Sequence, residues 1–324
     1  MHSSTPCTGP SGTARRGSGV AAALILAAAA STAAQWQVPR TLDGHPDLEG
    51  VWNFATLTPL QRPQRFAGRA FMTYDEAIVF ERDSLAEVDG DRRAELSSGA
   101  LNEFWFERGP LASIDGRWPT SLIVDPADGR LPPVTPAAQQ RLDQQRPAAR
   151  RFDGPADFPL SERCLRSAAG PPYLPGAPDA NLIRITQSRD HIAIVQEKFH
   201  ETRIIPLDGR PHLPPSIRSW VGDARGRWDG DTLVVATTNF TPQLSLGNRF
   251  DEHLHLVERF TRTGDGTLLY EFTVDNPTFF AAPWTVRLPM RRTGEALHEF
   301  ACHEGNYSLP NILRGARHQE REGR

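Results

Sequence analysis

Cys302-His303-Glu304-Gly305-Asn306-Tyr307 sets five reactive or polar side chains around one glycine, more than a strand end needs for structure. An imidazole beside a carboxylate suits general acid–base chemistry, because such a pair titrates close to neutral pH. His303 and Glu304 point to opposite sides of a regular strand, so both reach one site only where the backbone turns. Gly305 supplies that turn, since glycine accepts positive φ without steric cost. His200 and His212 complete the expected catalytic set with His303 and Glu304. Arg203 would stabilise negative charge on a substrate or intermediate, with Asn306 and Tyr307 as further substrate contacts. This reading needs no cofactor. A second reading takes His200, His212 and His303 as zinc ligands, with His253 and His255 as further candidates, because catalytic zinc commonly takes three histidines. Glu258, Arg259 and Glu271 read as ordinary cross-strand ion pairs on a solvated face.

The compartment is written in the first 34 residues. Arg15-Arg16, the apolar run Val20–Ala30 and the small residues Ser31–Ala34 follow the order of a secretory signal peptide, with cleavage expected after Ala34. The run is about half the ~20 residues needed to span a bilayer, which excludes a permanent membrane anchor. Net charge is −3, and the leader carries two arginines and no acid, so the remainder is slightly more acidic. A mildly acidic chain without a basic cluster argues against nucleic acid as a partner and points to a small-molecule ligand or substrate. Hydrophobic content of 39%, with 16 Phe and 7 Trp, is enough for a packed core. Beyond the leader the chain has two cysteines, Cys164 and Cys302, which in an oxidising compartment form one disulfide. Closing so long a loop is worth about 4–5 kcal/mol in the chain-entropy account.

The elements that must position these groups divide near residue 180. Residues 35–180 form a Pro- and Arg-rich extension with short pieces: a strand over Leu48–Phe54, a helix from Thr73 to Arg82, a strand over Ser121–Asp125 and a capped helix from Thr135 to Leu142. Residues 181–324 read as a mainly β, antiparallel meander with strands over 182–187, 191–197, 199–206, 232–239, 253–262, 267–275, 284–291 and 297–303. Leu268, Tyr270, Phe272 and Val274 alternate with Leu269, Glu271 and Thr273, which is the period of a half-buried strand. About eight such strands close into a barrel around side chains or one small ligand, with an open two-sheet sandwich as the alternative. The extension and the meander are expected to form one unit.

Gly50-Val51-Trp52 followed by an antiparallel meander resembles the first strand of lipocalin and related calycin barrels. Over most of the chain, Arg203-Ile-Ile-Pro-Leu-Asp-Gly-Arg-Pro-His212, Gly226-Arg-Trp-Asp-Gly-Asp-Thr-Leu-Val-Val235 and Ala301-Cys-His-Glu-Gly-Asn-Tyr-Ser308 resemble segments of a large family of exported bacterial proteins of uncharacterised function. That resemblance implies export and a shared fold and carries no activity with it. No Gly-x-Ser-x-Gly elbow, phosphate-cradling glycine loop or helical His-Glu-x-x-His motif is present. Three classes follow: a cofactor-independent acid–base enzyme of hydrolase or lyase type, a carrier of an apolar ligand, or a His-ligated zinc enzyme.

Overall fold

Side chains that alternate in and out along each strand, joined by tight turns, leave the chain one way to bury its apolar half. A computed structural model describes residues 36–88, 107–144, 152–166, 170–175, 179–242 and 250–323, and the predicted leader lies outside them. Among these residues, ten strands form one antiparallel sheet. They are β1 (Gly50–Asn53), β4 (Ile123–Asp125), β5 (Leu182–Gln187), β6 (His191–Gln196), β7 (Thr202–Pro206), β8 (Asp223–Asp229), β9 (Thr232–Thr238), β10 (His255–Gly264), β11 (Thr267–Asp275) and β12 (Trp284–Thr293). The order across the sheet is β7-β6-β5-β1-β12-β11-β10-β9-β8, with β4 also paired to β12. A separate two-stranded ribbon pairs β2 (Phe71–Met72) with β3 (Trp118–Pro119).

The two halves of the meander are joined by a strand from outside it, with β1 seated between β5 and β12. The sheet draws strands from both sides of residue 180. Its two ends, β7 and β8, share no ladder hydrogen bonds, so a closed barrel is not formed. They nevertheless meet through side chains. A Cβ on Gly226 of β8 would lie 2.6 Å from Leu207 and 2.9 Å from Ile205, so only glycine permits this approach.

The curl has a second, polar cause. Arg203 on β7 reaches across the interior to Glu258 on β10, with guanidinium–carboxylate contacts of 2.6 and 3.0 Å. Strands far apart in sheet order are thereby tied face to face. Thr237 of β9 accepts from Arg203 at 3.1 Å, and Tyr270 of β11 donates to Glu258 at 2.8 Å. Both members of the pair are buried, so Glu258 is an interior residue and not the surface pair partner expected from sequence. Burial opposes the charge on Arg203, but Glu258 and Tyr173 outweigh it and hold the guanidinium firmly protonated. Burial also pushes the Tyr173 phenol up to about 12, although Arg203 pulls the other way, so Tyr173 stays a neutral partner.

Around this pair the interior is filled by rings. Tyr270 packs against Phe260 at 4.9 Å, Phe272 at 5.4 Å and Tyr173 at 5.6 Å between ring centres. Trp284 and Trp52 are also buried. Each fully buried apolar side chain contributes about 1.5–3 kcal/mol relative to exposure. Trp52 lies under two guanidinium groups, Arg262 at 5.3 Å and Arg292 at 5.9 Å, while its indole N–H donates to Leu48 at 3.0 Å.

Helix α1 (Tyr74–Val88) starts at Thr73, where Thr73 and Glu76 cap each other's backbone N–H, and α2 (Pro136–Gln144) starts with proline at its first position after Thr135. Sequence expectation fails at the C-terminus. No strand forms over 297–303; that stretch is irregular and leads into α3 (Ser308–Arg321). It runs past the end of β12, at Thr293, where no neighbouring edge remains to pair with it. Strand β8 is present where none was expected, because Gly226 and four charged residues mask its alternation. No helix among the described residues is long and apolar enough to cross a membrane.

A double-mutant cycle tests the interior pair. Glu258→Leu leaves a buried guanidinium uncompensated and should cost about 3–5 kcal/mol. Arg203→Met combined with Glu258→Leu should recover most of that loss in urea unfolding, giving a strongly non-additive cycle.

Candidate functional site

Strand β6 ends at Gln196 and β7 begins at Thr202, and the turn between them is closed by the Gln196 N–H donating to Glu201 at 2.9 Å. Within it Phe199 and His200 both adopt left-handed backbone, with φ of 59° and 51°. For residues with a Cβ this costs on the order of 1–3 kcal/mol each, and such strain gathers where groups must be presented in a fixed direction.

The wall facing this turn is the irregular segment after β12. The His298 N–H donates to Glu197 Oε1 at 2.9 Å, and the Phe300 N–H donates to His200 Nε2 at 2.9 Å. Phe199 packs against Phe300 in a tilted pair at 4.7 Å between ring centres, and Lys198, paired with Asp179 at 2.8 Å, lies 5.4 Å over the Phe300 ring. Two residues further on, Cys302 is bonded to Cys164, with Cα atoms 5.6 Å apart, so the expected disulfide is present. Between turn and wall lies a depression of about 410 Å³ lined by Glu197, His200 and His298, with Gln196, Leu297 and Glu299.

The arrangement fixes protons. His200 Nε2 accepts a hydrogen bond, so its ring carries hydrogen on Nδ1 and offers a donor. Glu197 is buried and uses one oxygen on the His298 amide. Behind the turn, Glu201 pairs with Arg166 at 2.8 Å. Burial raises the Glu201 carboxyl above the ordinary range against the pull of Arg166, and burial likewise lowers the Arg166 guanidinium.

The set expected from sequence is thus divided. His200 lies in the depression. Arg203 is buried in the interior with Glu258 and is a structural residue, not a substrate contact. His212 pairs through Nδ1 with Asp223 at 2.9 Å, beside Arg225 at 2.6 Å from the same carboxylate group. His303 and Glu304 are exposed, on a turn whose Gly305 does not use positive φ. The acid–base pair expected there is therefore splayed into solvent, since the turn carries the chain away into α3 and not back toward the sheet. Asn306 holds the disulfide region, donating to Glu162 O at 2.8 Å and contacting Cys164 Sγ at 3.3 Å, while Tyr307 is 73% exposed. His253 sits beside Asp251 at 3.4 Å, and His255 is exposed. Among the described residues no three His, Cys, Asp or Glu side chains are grouped to hold a metal ion, so His200, His212 and His303 do not form a shared ligand set.

Glu197 and His298 were missed by sequence reasoning. Glu197 ends an apolar strand and His298 sits in a segment read as strand, so neither showed a partner within its own stretch. Comparison with protein-family models and with curated proteins found no match to this chain.

The disulfide should hold this wall in place. Replacing Cys164 and Cys302 by Ser should speed amide exchange at His298 and Phe300 while amides of β10 and β11 stay protected, read by hydrogen exchange. Asp223 tests the His212 cluster. Burial raises its carboxyl, but the Leu213 N–H, His212 and Arg225 outweigh this and place it below the ordinary 3.8. The stabilisation is therefore complete above that value and is lost as pH falls through the lower folded one. Asp223→Asn should lower stability by a constant amount at neutral pH, with the gap to wild type shrinking below pH 3.8 in urea unfolding.

Proposed function

We propose that the protein is an exported small-molecule enzyme of hydrolase or lyase type, working by general acid–base catalysis without a resident cofactor. The observation that carries this reading is that buried Glu197 and the exposed His200 and His298 line one open depression, with Glu197 and His200 each fixed by a backbone N–H. Glu197 Oε2 serves as the base, and the Nδ1–H of His200 as the donor to negative charge developing on the substrate. His298, on the opposing wall, relays the proton. Positioned proton transfer of this kind contributes about 10²–10⁴-fold.

Export is supported by the leader-like sequence and by the Cys164–Cys302 bond, which suits an oxidising compartment. A calycin-like arrangement is supported by the antiparallel meander joined through β1, and by the side-chain seam between β7 and β8. The carrier reading fits less well, because the inner face of the sheet is occupied by Trp52, Phe260, Tyr270, Phe272 and the Arg203–Glu258 pair. A carrier holds its ligand in that space.

A library of small esters, amides and hydroxy acids, screened by thermal shift and then for turnover, tests the proposal. Glu197→Gln and His298→Ala should each cut turnover of any hit by about 10²–10⁴-fold while the melting temperature without ligand stays close to wild type. Turnover unchanged in both variants would defeat the assignment.

A further inference from the structure

On the outer face of the sheet, with no lining residue in common with the depression, a second hollow of about 390 Å³ lies over β9–β12. Leu269 and Pro289, register neighbours on β11 and β12, form its floor. Ile114 and Asp115, in the turn that bridges Ile114 to Arg117, form a rim. Outward positions on a sheet are ordinarily washed by solvent, yet Thr232, Thr261, Thr267, Glu271 and Arg287 are all only partly exposed here.

The charges of this hollow are already matched. Arg287 lies 2.9 Å from Glu271, and Arg259 lies 3.1 Å from Asp229. Asp115, exposed on the rim, is the one carboxylate of the lining outside these two pairs, and it stands at the edge and not over the floor. What remains is a set of directional neutral contacts. Thr232 and Thr261 meet hydroxyl to hydroxyl at 2.7 Å, and Thr263 and Thr267 add two more hydroxyls. The Nε of Arg287 is shielded from solvent and faces Glu271 Oε2 at 2.9 Å, which holds the carboxylate in place over the floor. Planar guanidinium and carboxylate groups match the paired hydroxyls of a vicinal diol. The apolar floor suits the C–H face of a sugar ring.

We propose that this hollow is a binding site for a neutral saccharide of about disaccharide size, independent of the acid–base site. Its volume is at the low end of the range for small-molecule pockets. Titration calorimetry of the full chain with cellobiose, maltose and chitobiose tests it, with digalacturonate and spermidine as anionic and cationic comparators. At least one neutral disaccharide should bind, and Glu271→Gln and Thr261→Val should each weaken it by about tenfold or more. If Glu271→Gln lowers the melting temperature, Thr232→Val, also on the outer face, takes its place. Absence of neutral saccharide binding, binding unchanged in the hollow variants, or tighter binding of digalacturonate or spermidine would each overturn the proposal.

Discussion

The Arg203–Glu258 pair is the constraint on which the rest of the fold depends. Two charges withdrawn from water are tolerated only where their geometry is good and their remaining donors and acceptors are met. Here the pair is bidentate, and Thr237, Tyr270 and Tyr173 take up most of the surrounding hydrogen-bonding capacity, leaving Arg203 Nε buried without an acceptor among the described residues. Because the two residues stand on strands distant in sheet order, satisfying them forces β7 to face β10. That in turn brings β7 against β8 at Gly226, where a larger residue would hold the edges apart. The aromatic packing around Tyr270 then fills the space the curl encloses.

The same pair fixes the start of β7, and so the direction of the turn that precedes it. Arg203 lies three residues after His200. With β7 held from inside, the left-handed backbone at Phe199 and His200 presents an imidazole and, through Glu197, a carboxylate toward the far wall. That wall has no strand pairing of its own. Two backbone N–H groups, one tilted ring pair and one disulfide hold it. Loosely supported segments of this kind open at lower free energy than a sheet, which suits a wall that must admit a ligand.

Much of the sheet was legible because its signal is local. The alternation of Leu268, Tyr270, Phe272 and Val274 requires only a strand with one wet face. The disulfide followed from a count of two cysteines and a compartment. The partners across the interior were not legible, since Arg203 and Glu258 meet over a separation that no periodicity records. Glu258 sits between Val257 and Arg259, where a carboxylate looks like an ordinary outward residue, yet it occupies the inward phase of β10. The richest chemical motif, Cys302–Tyr307, misled for a related reason. Its His303 and Glu304 face solvent and its Cys302 and Asn306 line a separate hollow of about 420 Å³ beside the disulfide, whereas His200, which the sequence singled out, lines a depression with Glu197 and His298, which it did not.

The wall segment closes on the β6–β7 turn through His200, whose Nε2 accepts from the Phe300 amide. Long-range ¹⁵N–¹H correlation of the His200 ring reads this directly. An Nδ1–H tautomer is expected, with Nε2 coupled through a hydrogen bond to the Phe300 amide. An Nε2–H tautomer without that coupling would contradict it.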